Sequence, residues 1–539
     1  MGKIFTKKLV KTIGLLILIL AFLPYGQVRA SKTKFNMSYL YFGNTNQFTG
    51  YVDKTKGSLN VVSPSYFDLN EDGSLKLTTR IDPSFIKEMQ RRNIRVVPFL
   101  SNHWSREVAR AALKNREALA QEIVDAIAKY NLDGVNADLE NITEEDREAY
   151  VDFIRLLRQK LPKGKELSVA VIANPSGRVT GINGGHDYKG LAQYSDHLMV
   201  MTYDESYRGG PAGPVASISF VEKSIQYALK QIPAEKVLLG IPFYGRYWNA
   251  AEPSGGYGIH LTQIDALISK YKGTVTFDEK SKSPKAVFTV KPQDEKFSVF
   301  GRELGPGNYT IWYENEESIK QKLRLVQKYN LKGTGSWSLG QETPQVWNYY
   351  HLWLNGRYYT DIDKHWAHDA ILEMEIRGWM KGTSSTQFSP NRTLNRAETV
   401  GIMVKALGLQ DKPVTSQSFK DVPKNHWAWK EIEIAREHGI IQGKGNGIFA
   451  PGEILTREQV AAMLDNVLPK EAEAAFENPF RDMTSKNWSY NAVAAMNYRG
   501  IITGFEDGTF RPKEKITRAQ MATMMQKMIP LLETVNINQ

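Results

Sequence analysis

The 539-residue chain contains no cysteine. That absence excludes disulfides, thiolate-held metals and a cysteine nucleophile, so the compartment has to be read from other features. Long apolar runs are nearly missing as well. The one such stretch, Ile13 to Leu23, follows Lys3, Lys7, Lys8 and Lys11 and precedes the small-residue pair Val28 and Ala30. It is too short to span a bilayer comfortably. A basic start, an apolar centre and small residues predict a secretory signal peptide over 1–30, cut after Ala30. No later segment is apolar enough to span, so no stable membrane insertion is expected after cleavage. Zinc-ligand spacings and a basic–aromatic stripe are also lacking, which argues against nucleic acid as a partner. The net charge of +11 then suits an exported protein that meets a polyanionic wall.

What is present is ordinary globular composition, 42% apolar and 24% charged, in a chain too long for one core. The most informative stretch is Leu132 to Asn141. Polar Asn136, Asp138 and Glu140 alternate there with apolar Val135, Ala137 and Leu139. A period of two is that of a strand, which puts the three polar side chains on one face. Two carboxylates on one face are costly to bury unpaired. Helix-like sequence on both sides nevertheless marks the segment as a buried parallel strand. A bland alternative is an acidic strand end that caps the next helix.

Apolar strands alternate with amphipathic helices from Lys34 to about Leu354. The strand candidates are Phe35–Phe42, Leu59–Ser63, Ile94–Leu100, Leu132–Glu140, Leu167–Ala173, His197–Tyr203, Val237–Tyr244 and Gly335–Leu339. Helices are expected over Val108–Tyr130 and over Glu144–Leu161, the second with Thr143 as N-cap. The alternation predicts an α/β fold, a (β/α)8 TIM barrel over 31–355. Between Tyr247 and Trp312 the rhythm breaks, and short antiparallel strands are expected at Val275–Phe277, Ala286–Val290 and Asn308–Tyr313.

After Gly356 an internal repeat of 61 residues appears. Trp366, Trp427 and Trp488 share it, as do Gly382, Gly443 and Gly504, and Phe388, Phe449 and Phe510. So do Pro390, Pro451 and Pro512, and Arg396, Arg457 and Arg518. Three all-α units are expected, over 356–411, 416–472 and 477–535. Each has a helix, a loop ending Phe-x-Pro and a second helix opening on the arginine. Units this small must share a core, so the Trp and Phe positions are read as core. The arginines stand at helix starts, where backbone N–H groups and a guanidinium favour an anion.

Asp133, Gly134, Asp138 and Glu140 resemble the Asp-Gly-x-Asp-x-Asp-x-Glu strand of glycoside hydrolase family 18, with Asn136 where most members have Asp. The resemblance implies a small α+β insertion between barrel strands seven and eight, walling the substrate cleft; a functionless excursion is the alternative. It implies glycosidic cleavage in which the substrate's N-acetyl group is the nucleophile. Glu140 is then the acid and later the base. Asp138 raises its pKa and grips the acetamide, and Asn136 hydrogen-bonds Asp138. Met201-Thr202-Tyr203-Asp204 resembles the family's Met-x-Tyr-Asp, which makes Tyr203 and Asp204 substrate contacts. Trp337 resembles the aromatic floor under the sugar, although a Trp that fills the barrel is the alternative. Tyr244 and Arg246 are further sugar candidates. No cofactor and no metal site are expected.

Asn136 and the Asp146-Arg147 pair make the strand similar to the bacterial group that cleaves N-acetylglucosaminyl bonds in peptidoglycan. The repeats resemble three S-layer homology domains, with Leu-Asn-Arg-Ala-Glu at 394–398, Leu-Thr-Arg-Glu-Gln at 455–459 and Ile-Thr-Arg-Ala-Gln at 516–520. That likeness implies grooves in which Arg396, Arg457 and Arg518 bind a pyruvylated secondary cell-wall polymer, and hence attachment of the secreted protein to the wall. Repeat one has Asn395 for Thr, and Thr383-Ser384-Ser385-Thr386 where the others carry glycine, so its groove is expected to be the weak one. Open alternatives are a chitinase or endo-β-N-acetylglucosaminidase on chitin or glycoprotein glycans, and a non-catalytic carbohydrate-binding S-layer-associated protein. The presence of Glu140 argues against the last.

Overall fold

A computed structural model describes residues 33–468 and 476–537, so the expected signal peptide lies outside the described residues. Among those residues no helix is long and apolar enough to cross a membrane.

Eight parallel strand positions form a closed barrel. They are Phe35–Leu40, Val61–Pro64, a third strand in two pieces (Arg95–Val96 and Phe99–Ser101), Gly134–Asp138, Glu166–Ile172, His197–Met201, Val237–Pro242 and Gly333–Trp337. The third strand closes the ring, because its first piece pairs with strand two and its second with strand four. Asp133 supports the break, its Oδ2 accepting the Val96 N–H at 2.8 Å. Gly134 is needed beside it. Its φ is +154°, and a Cβ there would lie 2.0 Å from the Glu166 carbonyl oxygen.

Alternation in the fourth strand sorts the side chains as a pleat must. Val135, Ala137 and Leu139 join the layer between sheet and helices. Asn136, Asp138 and Glu140 turn toward the barrel interior, whose apolar part includes Met37, Tyr39, Phe99 and Met199.

Two helical expectations are corrected. The segment expected as Val108–Tyr130 is two helices, Arg106–Lys114 and Arg116–Lys129, broken at Asn115. The next helix runs Arg147–Lys160 with Asp146, not Thr143, at its N-cap. Thr143 instead donates its N–H to Asp146 Oδ2 at 2.9 Å. A carboxylate at that position also pairs with Arg110 Nε at 2.9 Å, which a threonine could not do.

Between strands seven and eight the chain builds a five-stranded antiparallel sheet. Its order is Tyr257–His260, Tyr244–Asn249, Gly307–Trp312, Ser283–Val290 and Thr274–Asp278, and the helix Leu261–Lys270 accompanies it. A two-stranded ribbon, Ser298–Val299 with Arg302–Glu303, projects from it.

The C-terminal region has one helix pair per repeat. The first helices are His368–Ile376, Trp429–Glu437 and Tyr490–Tyr498, and the second are Arg396–Ala406, Arg457–Asn466 and Arg518–Ile537. Helices are not the whole account, because backbone bonds lace the repeats into a ring. Leu455 N donates to Leu394 O at 3.1 Å, Ile516 N to Leu455 O at 3.1 Å, and Leu394 N to Ile516 O at 3.2 Å. Repeat one meets the barrel through Lys56, whose Nζ lies 2.8 Å from both Asn348 Oδ1 and Asp369 Oδ1. Leu352, from the last helix of the barrel, enters the core of the repeats.

Candidate functional site

The C-terminal ends of barrel strands four, six and eight converge on a cavity of about 250 Å³. Asp138, Glu140, Tyr203, Asp204, Tyr244, Arg246 and Trp337 all line it. The barrel therefore brings together seven of the eight candidates, drawn from positions 138 to 337.

Asn136 is the eighth and does not reach the cavity. It is fully buried, accepts from the Tyr39 hydroxyl at 3.0 Å through Oδ1, and donates through Nδ2 to Ser168 Oγ at 2.9 Å. The expected bond to Asp138 is not made. Tyr39 from across the barrel and Ser168 from the adjacent strand take the amide in place of the next polar residue along its own strand.

Asp138 sits above it, 6% exposed, and its Oδ1 finds no hydrogen-bond donor among the described residues. Burial disfavours its charged form and pushes its pKa up to about 7. Glu140 is pushed well above the usual carboxylate range, first by burial and then by the negative charges of Asp138 and Asp204. The neighbouring charge expected to raise Glu140 thus acts, but desolvation is the larger cause. The result is a carboxyl group at the mouth of the barrel whose protonated form is favoured by its surroundings.

The other side of the cavity is tied together. Asp204, left-handed at φ +58°, accepts through Oδ1 from the Tyr244 hydroxyl at 2.6 Å and from Arg246 Nε at 2.8 Å. Arg246 Nη1 also donates to the Gly256 carbonyl at 2.7 Å, which couples the barrel rim to the insertion. Trp337 lies against Tyr39, Tyr41 and Phe99, with ring centroids 5.2, 5.4 and 5.9 Å away. It is only partly buried and faces the cavity, so it is not barrel filling.

Sequence reasoning missed several residues here. Phe42, from the end of strand one, stacks on Phe300 of the projecting ribbon with centroids 5.7 Å apart, and both line the cavity with Gln341. Phe300 stands in a loop without periodicity, so no sequence signal marked it. Tyr39 could have been found from the inward register of strand one.

In the repeats the guanidinium groups sit between units. Each arginine Nε donates to the Phe carbonyl of the next repeat: Arg396 to Phe449 at 2.9 Å, Arg457 to Phe510 at 2.8 Å and Arg518 to Phe388 at 3.0 Å. Arg396 Nη2 and Arg518 Nη2 also donate, to the carbonyls of Gln442 and Lys381. Asp361, Asp421 and Asp482 brace the three Phe turns by accepting their backbone N–H groups.

Two expectations change. The glycine-free stretch 383–386 neighbours Arg518 and not Arg396, since the Lys381 and Phe388 carbonyls on either side of it accept from Arg518. The tryptophans are not core, since Trp366, Trp427 and Trp488 are 66%, 66% and 63% exposed, whereas the three Phe side chains are fully buried. Trp366 of repeat one and Arg457 of repeat two line a common cavity with Gly504 and Lys527 of repeat three.

Comparison with known proteins agrees with this division. The description "Glycosyl hydrolases family 18" matches residues 34–342, and "S-layer homology domain" matches 358–400, 418–461 and 479–522. The uncharacterized glycosylase YvbX of Bacillus subtilis (strain 168) is 29% identical over 248 residues, which cover 45% of this chain and 68% of that protein. The cortical fragment-lytic enzyme of Bacillus anthracis is 30% identical over 229 residues, covering 42% of this chain but only 50% of that protein. A chitinase structure from Chromobacterium violaceum ATCC 12472 is 26% identical with a TM-score of 0.52, covering 58% of this chain and 96% of that one.

Proposed function

The chain belongs to glycosyl hydrolases family 18, and we propose that it is an exported, wall-anchored enzyme that cleaves β-1,4 bonds of N-acetylglucosamine-containing glycan, with peptidoglycan as the substrate. One observation carries the reading. Glu140, whose protonated form burial favours, shares its cavity with only two other carboxylates among the described residues, Asp138 and Asp204. Asp204 is committed to Tyr244 and Arg246, and Asp138 lies on the same strand face as Glu140. Neither stands free across the cavity as an enzyme nucleophile would.

The substrate's own acetamide oxygen therefore attacks C1 while Glu140 gives its proton to the departing oxygen. Asp138 Oδ1 accepts the acetamide N–H, Tyr203 donates to the acetamide oxygen, and Trp337 supports the sugar ring. Glu140, now ionised, takes a proton from the incoming water, which opens the cyclic intermediate from the face the leaving group left. Configuration is retained. Asp204, Tyr244 and Arg246 form the wall that receives sugar hydroxyls, and Asn136, bonded to Tyr39 and Ser168, packs the barrel below Asp138.

The choice of peptidoglycan is supported by the likeness to the cortical fragment-lytic enzyme. The likeness to the chitinase favours chitin as the second reading. The S-layer homology domains attach the protein to the cell surface, and the grooves of Arg396, Arg457 and Arg518 hold the secondary wall polymer. Digestion of purified peptidoglycan and of chitin oligomers, with products identified by mass and reducing end, separates the two substrates. A thiazoline mimic of the cyclic intermediate should inhibit competitively, and a covalent sugar ester on a carboxylate would overturn the mechanism.

A further inference from the structure

Beyond Asp138 the fourth strand has lost its backbone neighbour, yet Glu140 is held as firmly as a strand residue. Strand three pairs with strand four as far as Ser101 opposite Asp138. The next step of a parallel ladder would need the strand-three backbone near position 103. His103 and Trp104, however, are both left-handed, at φ +47° and +64°, and turn the chain out of the sheet. The Asn102 side chain takes over from the backbone. Its Oδ1 accepts the Glu140 N–H at 2.8 Å, and its Nδ2 donates to the Glu140 carbonyl at 2.9 Å.

The same Nδ2 also donates to the Ser105 carbonyl at 2.8 Å, and Asn102 is 2% exposed. The following residue is clamped from the same loop. Arg106 donates to the Asn141 carbonyl and to Asn141 Oδ1, both at 2.8 Å, and Asn141 Nδ2 donates to the Trp104 carbonyl at 2.9 Å. The loop 102–106 is thus a bracket around Glu140 and Asn141.

We infer that Asn102 is a positioning residue of the hydrolase, its carboxamide serving as a side-chain rung of the sheet that sets the Glu140 main chain and so aims the Glu140 carboxyl into the cavity. The inference rests on the reading of Glu140 as the proton donor. A carboxamide is suited to this task because one planar group offers both a donor and an acceptor, as a peptide does. Alanine would leave a part-buried N–H and C=O unpaired and free the strand end. Aspartate would keep the acceptor, lose the donor, and add a negative charge near a group already facing Asp138 and Asp204. The other charged groups of this corner are Arg106 and the pair of His103 with Asp68. Misplacement of an acid by about 1 Å can cost on the order of 10²-fold in rate.

The test uses the full chain and whichever glycan the native enzyme cleaves. Asn102→Ala is expected to lower kcat about 10- to 100-fold with KM within about twofold, because Asp138 stays inside the strand ladder and most other sugar contacts lie on strands six to eight. Asn102→Asp is expected to lower kcat and also to move the alkaline limb of kcat/KM upward, since added negative charge favours protonated Glu140. A kcat within twofold of native in Asn102→Ala would overturn the inference, as would a loss that appears in KM alone. If Asn102→Ala does not fold, Asn102→Asp decides, and an unchanged kcat with an unmoved limb overturns it. A native enzyme that cleaves no N-acetylglucosaminyl glycan would overturn the hydrolase reading itself, which is a separate outcome.

Discussion

Arg518, in the last repeat, donates from Nε to the carbonyl oxygen of Phe388 in the first at 3.0 Å, across 130 residues of chain. Its guanidinium also lies over the Phe388 ring, 4.4 Å from the centroid. The bond closes three tandem units into a ring and seats each of the three arginines against a neighbouring repeat.

Wall binding should therefore depend most on Arg457. Among the described residues it alone of the three bonds a protein carbonyl through Nε only, and it lines a cavity with Trp366 and Lys527. Arg518 spends Nη2 on the Lys381 carbonyl, two residues before the glycine-free stretch 383–386. A charge-assisted contact is worth about 1.5–3 kcal/mol. Several grooves on one polymer act multivalently. Arg457→Ala is expected to weaken sedimentation with native walls by about tenfold or more, and Arg518→Ala by the least. Equal binding to walls stripped of secondary polymer would show that the grooves read something else.

Glu140→Gln should fold with a melting temperature at neutral pH no lower than native and lose roughly 10³-fold or more in turnover, because the leaving oxygen departs without a proton. Turnover near native, measured on the preferred glycan, would remove Glu140 from the mechanism.

Asp138 carries a stability cost whose sign can be worked out. Its folded pKa is raised from 3.8 to about 7 by burial, so the folded state holds the proton more tightly than the unfolded chain does. Its favourable contribution is complete below pH about 4 and is lost as pH rises toward 7, by up to about 1.4 kcal/mol per pH unit. Glu166, raised to about 7 by burial, works in the same direction, so the comparison must be between variant and native. Asp138→Asn should melt higher than native at pH 8 and show little difference at pH 4. Thermal unfolding across that range checks it, and equal melting points at pH 8 would refute it.

Phe300→Ala removes the ribbon's contribution to the cavity wall. Phe300 is 55% exposed and stacks on Phe42, so its loss should not destabilise the barrel. An aromatic contact worth about 0.5–1.5 kcal/mol predicts a KM two- to tenfold higher with kcat preserved. Steady-state kinetics on oligosaccharides of increasing length would show whether the effect needs the longer chains.

The legible part of this protein was local. Alternation over 132–141 placed Asn136, Asp138 and Glu140 on one inward face, because a pleated strand allows no other arrangement of successive side chains. The helix over 108–130 was misjudged at Asn115, where no proline or glycine announces a break, and the cap at Asp146 was misplaced by three residues. Phe300 and Asn102 were invisible for a different reason. Each acts through a contact between segments far apart in sequence, one across the cavity and one across the strand-three turn.

The sequence by itself determined the strand that carries the chemistry, the barrel rhythm around it and the 61-residue period, since each is written in spacing that backbone geometry converts directly into structure. Only the tertiary structure decided what those residues touch. Closure of the barrel gave the Asn136 amide to Tyr39 and Ser168 instead of Asp138, and closure of the repeat ring gave each arginine to the next repeat's turn and left the three tryptophans in solvent. Periodicity says which face a side chain occupies. Which partner meets it there depends on how distant segments close around a shared core, and that competition has no local signature.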